Sequence, residues 1–165
     1  MNFDLPLHPA LVHIPIGLCF SLPILTLVLL FFYKLKQLKK KGLLIIVILH
    51  ALLFGSSLIA EETGEKDEHI VEQVINKEFI HNHEESAELF IKACLAVMIL
   101  VGLLLILPIG RYSNVAMTLI LFSQLSLVFL AYRVGHSGGE LVYKHGAADA
   151  HIQPKNPKEG RTEQE

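Results

Sequence analysis

The sequence predicts an all-α integral membrane protein: a four-helix bundle with both termini outside and a short amphipathic helix in the outer hairpin between helices 2 and 3. Three observations lead there. Hydrophobic residues make up 52% of the 165-residue chain and charged residues 18%, with a mean hydropathy of +0.50, an apolar share above that of ordinary soluble domains. Apolar runs occur four times, at Ala10–Tyr33, Leu43–Ala60, Leu89–Ile109 and Tyr112–Tyr132, and a helix needs about 20 residues to cross the hydrocarbon core. Charge is sorted between the connections: Lys34, Lys36, Lys39, Lys40, Lys41 and Arg111 fall in the first and third, which the positive-inside rule places in the cytoplasm. All 16 acidic residues fall in the segments left outside. Those segments hold 8 basic residues and carry a net −8, against +6 for the inner loops.

This topology implies a multi-pass membrane protein with both termini and the central hairpin on the outer side. Residues 1–148 form one domain, and 149–165 a flexible polar tail with Pro154 and Pro157. The first run does not read as a signal peptide, because only Asp4 is charged before it and five lysines follow it. Basic residues that mark topology are not a nucleic-acid patch, and no phosphate-binding glycine loop, nucleophile elbow or CxxC motif is present.

Span one starts after His8, with Pro9 suited to a first helical turn. Pro15 and Pro23 each remove a backbone donor inside it and invite a kink. Span two opens at Gly42 and carries His50 roughly 12 Å above the cytoplasmic end, on one face with Ser57 and Glu61. At that depth Met98, Phe122 and Gln124 are plausible neighbours, so a buried hydrogen bond to Gln124 is expected ahead of a His50–Met98 haem pair. In the outer hairpin, Ile70, Val71, Val74 and Ile75 give Asp67–Asn76 a helical apolar face. Span three follows HNHEESAE, where His81 and Glu85, and Glu84 and Glu88, are four apart, and it ends at Pro108 and Gly110. Span four holds Ser123, Gln124 and Ser126 and closes with RVGHSGGELVYKHG. Cys19 and Cys94 lie inside spans at no metal or redox spacing and read as core-filling residues.

Counting back from the cytoplasmic boundaries puts His13, Glu61, His83, Glu84 and His136, from four helices, within a turn or two of one plane, with His8 and His145 just above. Imidazoles with carboxylates between them suit iron, copper or zinc, and a carboxylate can fix the tautomer of a ligating ring. His13, Gly17 and Ser21 share a stripe that leaves room for a flat macrocycle, so a b-type haem would use His13 with His83 or His136. Interfacial histidines also simply bond acidic neighbours or headgroups, the expectation for His69, His81 and His151.

Several motifs resemble one bacterial membrane family over nearly the whole chain, to about Gly146. They are His8-Pro9, Val12-His13 with Pro15-Ile16, Thr63-Gly64-Glu65, His83-Glu84, Gly138-Gly139 with Leu141-Val142-Tyr143, and His145-Gly146. The family is domain of unknown function 2231. The resemblance implies four helices and carries over His8, His13, Gly64, Glu65, His83, Glu84, Gly138, Gly139 and His145 as motif residues; His50 and His81 are outside it. In some similar proteins this module is joined to cytochrome c-type or Rieske iron-sulfur domains, so the resemblance implies membrane electron transfer. No CxxCH occurs here, so a redox partner would be separate.

Three functions follow as alternatives. The first is a haem b or transition-metal protein passing electrons near the outer face, from quinol or to a cytochrome or iron-sulfur partner. Its cofactor residues would be His13, His83, His136, His8 and His145, or, for a metal, His13, His83, Glu84, His136, Glu61 and Glu65. The second is a divalent-metal transporter or chaperone that collects ions on the acidic hairpin. The third is a non-catalytic structural or assembly subunit of a larger complex. An electron-transfer or binding subunit is expected ahead of a stand-alone enzyme.

Overall fold

The structure is a computed structural model that describes residues 6–106 and 113–152. Its helices are α1 (His8–Leu11), α2 (His13–Lys34), α3 (Leu44–Val71), α4 (Lys77–Ile106), α5 (Ser113–Tyr143) and α6 (Asp149–Ile152), with a 3₁₀ turn at Lys40–Leu43 before α3. Four of them, α1–α2 taken together, α3, α4 and α5, are long and apolar enough to cross a membrane. Each packs on the next, and α5 closes back onto α2, giving a four-membered ring of helices. Only 28–33% of each apolar window is buried inside the bundle, so most of each span faces lipid. Pro108, Gly110, Arg111 and the tail beyond Ile152 lie outside the described residues.

Span one is jointed for a reason visible in its sequence. Pro15 has no N–H for the Leu11 carbonyl and its ring crowds that oxygen. That bond is lost where α1 meets α2, but Val12 keeps right-handed helical angles (φ −61°, ψ −22°) and its N–H still reaches the His8 carbonyl at 3.1 Å, so the joint is local and the span continues, with α1 packed on α3. Below this joint, Pro15, Cys19, Leu22, Pro23, Thr26 and Leu30 form the buried stripe of α2.

Helices α3, α4 and α5 have 28, 30 and 31 residues, roughly 42–47 Å at 1.5 Å per residue, against a hydrocarbon core of about 30 Å. The excess lies at one end, where His8, the α3–α4 turn and the end of α5 meet; we call it the His-rich end. Here one expectation is corrected. The amphipathic segment is helical through Val71, but as the last turns of α3 and not as a separate surface helix. No proline interrupts Glu61–Val71, and Lys66 bonds Glu62 one turn back at 2.7 Å, so the helix continues. The turn that follows is clasped by Lys77 on Glu72, 2.7 Å apart, and that contact holds the Glu72 carboxyl below its ordinary range. After α5, Gly146 takes φ +75° and the Ala147 N–H returns to the Leu141 carbonyl, turning the chain toward α6, which packs on α3.

The core is aliphatic, with Leu22, Ile46, Leu53, Val101, Ile120 and Leu127 fully buried, and Cys19 and Cys94 buried among them as free thiols. Four polar side chains interrupt it: Thr26 of α2, His50 and Ser57 of α3 and Gln124 of α5. His50 donates Nδ1–H to the Ile46 carbonyl at 2.7 Å, leaving Nε2 to accept from the Gln124 amide at 3.4 Å. The same amide nitrogen donates to Thr26 Oγ1 at 2.7 Å. The expected His50–Gln124 bond is thus present, and Thr26 extends it to a third helix. In a membrane, where apolar burial does not draw helices together, such cross-helix bonds contribute about 0.6–1.7 kcal/mol each. Thr26→Val is expected to destabilise the bundle by about that amount, measured by reversible unfolding in mixed micelles; an unchanged transition would mean that the bond holds nothing together.

Candidate functional site

At the His-rich end two imidazoles from different helices lie close together, nearly at right angles. His8 comes from α1, laid over α3, and its Nδ1–H donates to the Ala60 carbonyl at 2.8 Å. Ala60 lies in the first turn below the α3 overshoot, and Gly64, one turn on, leaves the space the ring occupies. A Cβ at Gly64 would stand 3.0 Å from His8 Cε1 and 3.1 Å from Nδ1. His83 comes from the first half of α4 and reaches α5, where its Nδ1 is 2.9 Å from Ser137 Oγ. Because Ser137 Oγ donates to the Val134 carbonyl at 3.0 Å, the serine hydrogen is committed there and His83 Nδ1–H is the donor. Gly138 makes room for this ring in turn, since a Cβ there would lie 3.1 Å from His83 Cε1.

Both rings are half-buried, with centroids 6.4 Å apart and planes at 81°. Both spend Nδ1–H on a protein oxygen, so each presents an unprotonated Nε2 lone pair. That is the tautomer a metal-ligating histidine needs, with the orienting bond on its other nitrogen.

The rest of the expected layer does not join this pair. His13 is exposed on the outward side of α2; a Cβ at Gly17 would meet nothing within 4 Å, and Ser21 is exposed with its hydroxyl on the Gly17 carbonyl. The room that this stripe leaves therefore opens outside the bundle. His136 is also exposed, stacked on Tyr132 at 6.0 Å and 3.7 Å from the Glu140 carboxylate. His145 stacks on Phe79 at 3.8 Å, tying the start of α4 to the segment after α5. Glu61 and Glu84 are half-buried and Glu65 is exposed. His81 lies between Glu84 and Glu85, at 3.7 and 3.4 Å, and His69 is 4.0 Å from Glu72. Among the described residues, no three His, Cys, Asp or Glu side chains converge as a metal-ion cage. Sequence reasoning did not single out Ser137 or the Ala60 carbonyl. Ser137 had a signal, being a hydroxyl residue next to Gly138 on the face α5 turns to α4.

Over residues 4–151 the sequence matches the family described as predicted membrane protein (DUF2231). The chain belongs to this family. The match takes in all four spanning helices and both imidazoles of the central pair. No curated protein and no solved structure matches the chain.

Proposed function

We propose that the His-rich end holds a b-type haem between His8 and His83, and that the protein carries electrons at that face of the membrane. The observation that carries this reading is the pair of anchored imidazoles with free Nε2 atoms. The two rings come from different helices and lie 6.4 Å apart between centroids. The donor set also selects among cofactors. A structural zinc site takes four protein ligands, whereas haem brings its own equatorial nitrogens and asks the protein for axial ones. Two histidines without a third convergent ligand among the described residues suit haem.

In this reading His8 and His83 would hold the haem, and the Ala60 carbonyl and the Ser137 hydroxyl would orient the rings and favour the ligating tautomer. The haem supplies one-electron redox chemistry when bound. The lysine-rich connection at the far end from His8 supports a cytoplasmic location for that end, so the redox face would be periplasmic, at a bacterial inner membrane. The electron partner would be a separate quinol, cytochrome or iron-sulfur protein.

The test is to purify the protein from cells supplied with haem precursor and record oxidised and dithionite-reduced visible spectra with a pyridine haemochrome assay. One haem b per chain is the expected result; a folded protein with no Soret band overturns the reading.

A further inference from the structure

The end of the bundle opposite the imidazole pair carries an ordered cationic platform. Five lysines fall within the eight residues from Lys34 to Lys41. The connection that bears them is pinned at several points. The Gln37 and Leu38 N–H groups both return to the Phe32 carbonyl, at 3.1 and 3.2 Å, and the Gly42 N–H returns to the Lys39 carbonyl at 2.8 Å. Half-buried Leu38 packs on the core beside Gly42, and the 3₁₀ turn rests on both α2 and α3. Lys36 takes φ +58°, a left-handed conformation that glycine adopts at lower cost. Its charge is thus kept where the turn alone favours glycine. Lys34, Lys36, Lys39 and Lys41 are all exposed.

Two properties identify what covers this platform. The first is charge of a single sign. No Asp or Glu occurs from residue 5 to 60 or from 89 to 139, so neither the connection nor the helical stretches around it bear a carboxylate. A zwitterionic lipid brings its own cation with its phosphate; here that cation finds no partner and meets four like charges. A lipid of net negative charge brings no such cation. Each lysine held near an anionic membrane surface strengthens attraction roughly fivefold. The second property is depth. Leu35, between Lys34 and Lys36, is exposed, as are Phe31, Phe32, Leu44 and Ile45 on either side of the connection. The lysines therefore stand on the rim of a lipid-facing apolar collar, at the level their long stems carry ammonium groups to phosphates. A soluble anion would answer the charge but not the collar.

We propose that this platform holds an anionic phospholipid of the adjoining leaflet, with its phosphate among the lysine ammonium groups and an acyl chain along Phe31 and Phe32. Native mass spectrometry of the full chain, released from detergent and titrated with phosphatidylglycerol or phosphatidylethanolamine, tests it. Wild type is expected to hold phosphatidylglycerol at least about tenfold more tightly. Lys36→Gln combined with Lys39→Gln leaves three lysines on the connection to keep its orientation in the membrane. This pair should cut phosphatidylglycerol affinity about tenfold or more and leave phosphatidylethanolamine unchanged. Arg at the same two positions should preserve the preference, and Lys66→Gln with Lys77→Gln, at the other end, should change neither lipid. Millimolar inorganic phosphate should leave the lipid bound. Equal binding of both lipids by wild type, a preference undiminished by Lys36→Gln with Lys39→Gln, or displacement of the lipid by inorganic phosphate or by polyglutamate would each overturn the proposal.

Discussion

His83→Ala is expected to give a folded membrane protein that carries no haem, and His8→Ala the same. On the proposed reading each change would remove one of the two histidines that hold the haem, and no neighbouring histidine is placed to replace it: His13 and His136 are exposed on outward surfaces and His145 is stacked on Phe79. Ser137→Ala should fall between. It keeps both ligands but leaves His83 Nδ1–H without its 2.9 Å acceptor, and losing such an orienting partner weakens ligand sites by about 10- to 100-fold. His13→Ala should retain wild-type haem content. The readout is the reduced-minus-oxidised difference spectrum per mole of chain, with helicity followed by circular dichroism. Haem lost in His13→Ala and kept in His83→Ala would reassign the axial pair.

The second large effect is expected at two glycines that touch no ligand themselves. Gly64→Ala and Gly138→Ala each place a methyl group 3.0–3.1 Å from the Cε1 of an imidazole. Neither ring can simply swing aside, because its Nδ1 is held by Ala60 or Ser137. Overpacking of this kind costs about 1–3 kcal/mol, and if it falls on the ligated state, haem affinity drops roughly 5- to 150-fold. A displaced axial ring should also convert low-spin iron to a high-spin component in the electron paramagnetic resonance spectrum, which a loss of general stability does not do. Gly139→Ala is the matched control, since nothing lies within 4 Å of its Cβ position. Identical spectra for Gly138→Ala and Gly139→Ala would remove the glycines from the site.

The architecture was readable because each span is a continuous apolar run and polar residues between spans are costly inside a bilayer. His50 shows the same legibility inside the core: its depth limited the possible partners, and Gln124 was among them. Depth alone could not identify the central pair, because it fixes the level of a residue and not the side of the helix it occupies. His13 stands at the right level, but it precedes Pro15 by two residues, which turns it by about 200° from the buried stripe. That stripe, Pro15, Cys19, Leu22, Thr26 and Leu30, points back seven residues from Pro15 to His8, so its spacing contained the signal. The separate amphipathic helix failed for a different reason. Periodicity marks a helical face but not where one helix stops, and no proline lies between Glu61 and Val71.

The way the two rings are anchored bears on how the site meets membranes of different thickness. His8 is fastened to α3 through the Ala60 carbonyl and the space left by Gly64, and His83 is fastened to α5 through Ser137. Each imidazole is therefore positioned by a helix other than its own. A spanning helix accommodates a thinner or thicker bilayer by changing its tilt, so a change in how α3 and α5 stand to one another reaches the spacing of the two rings.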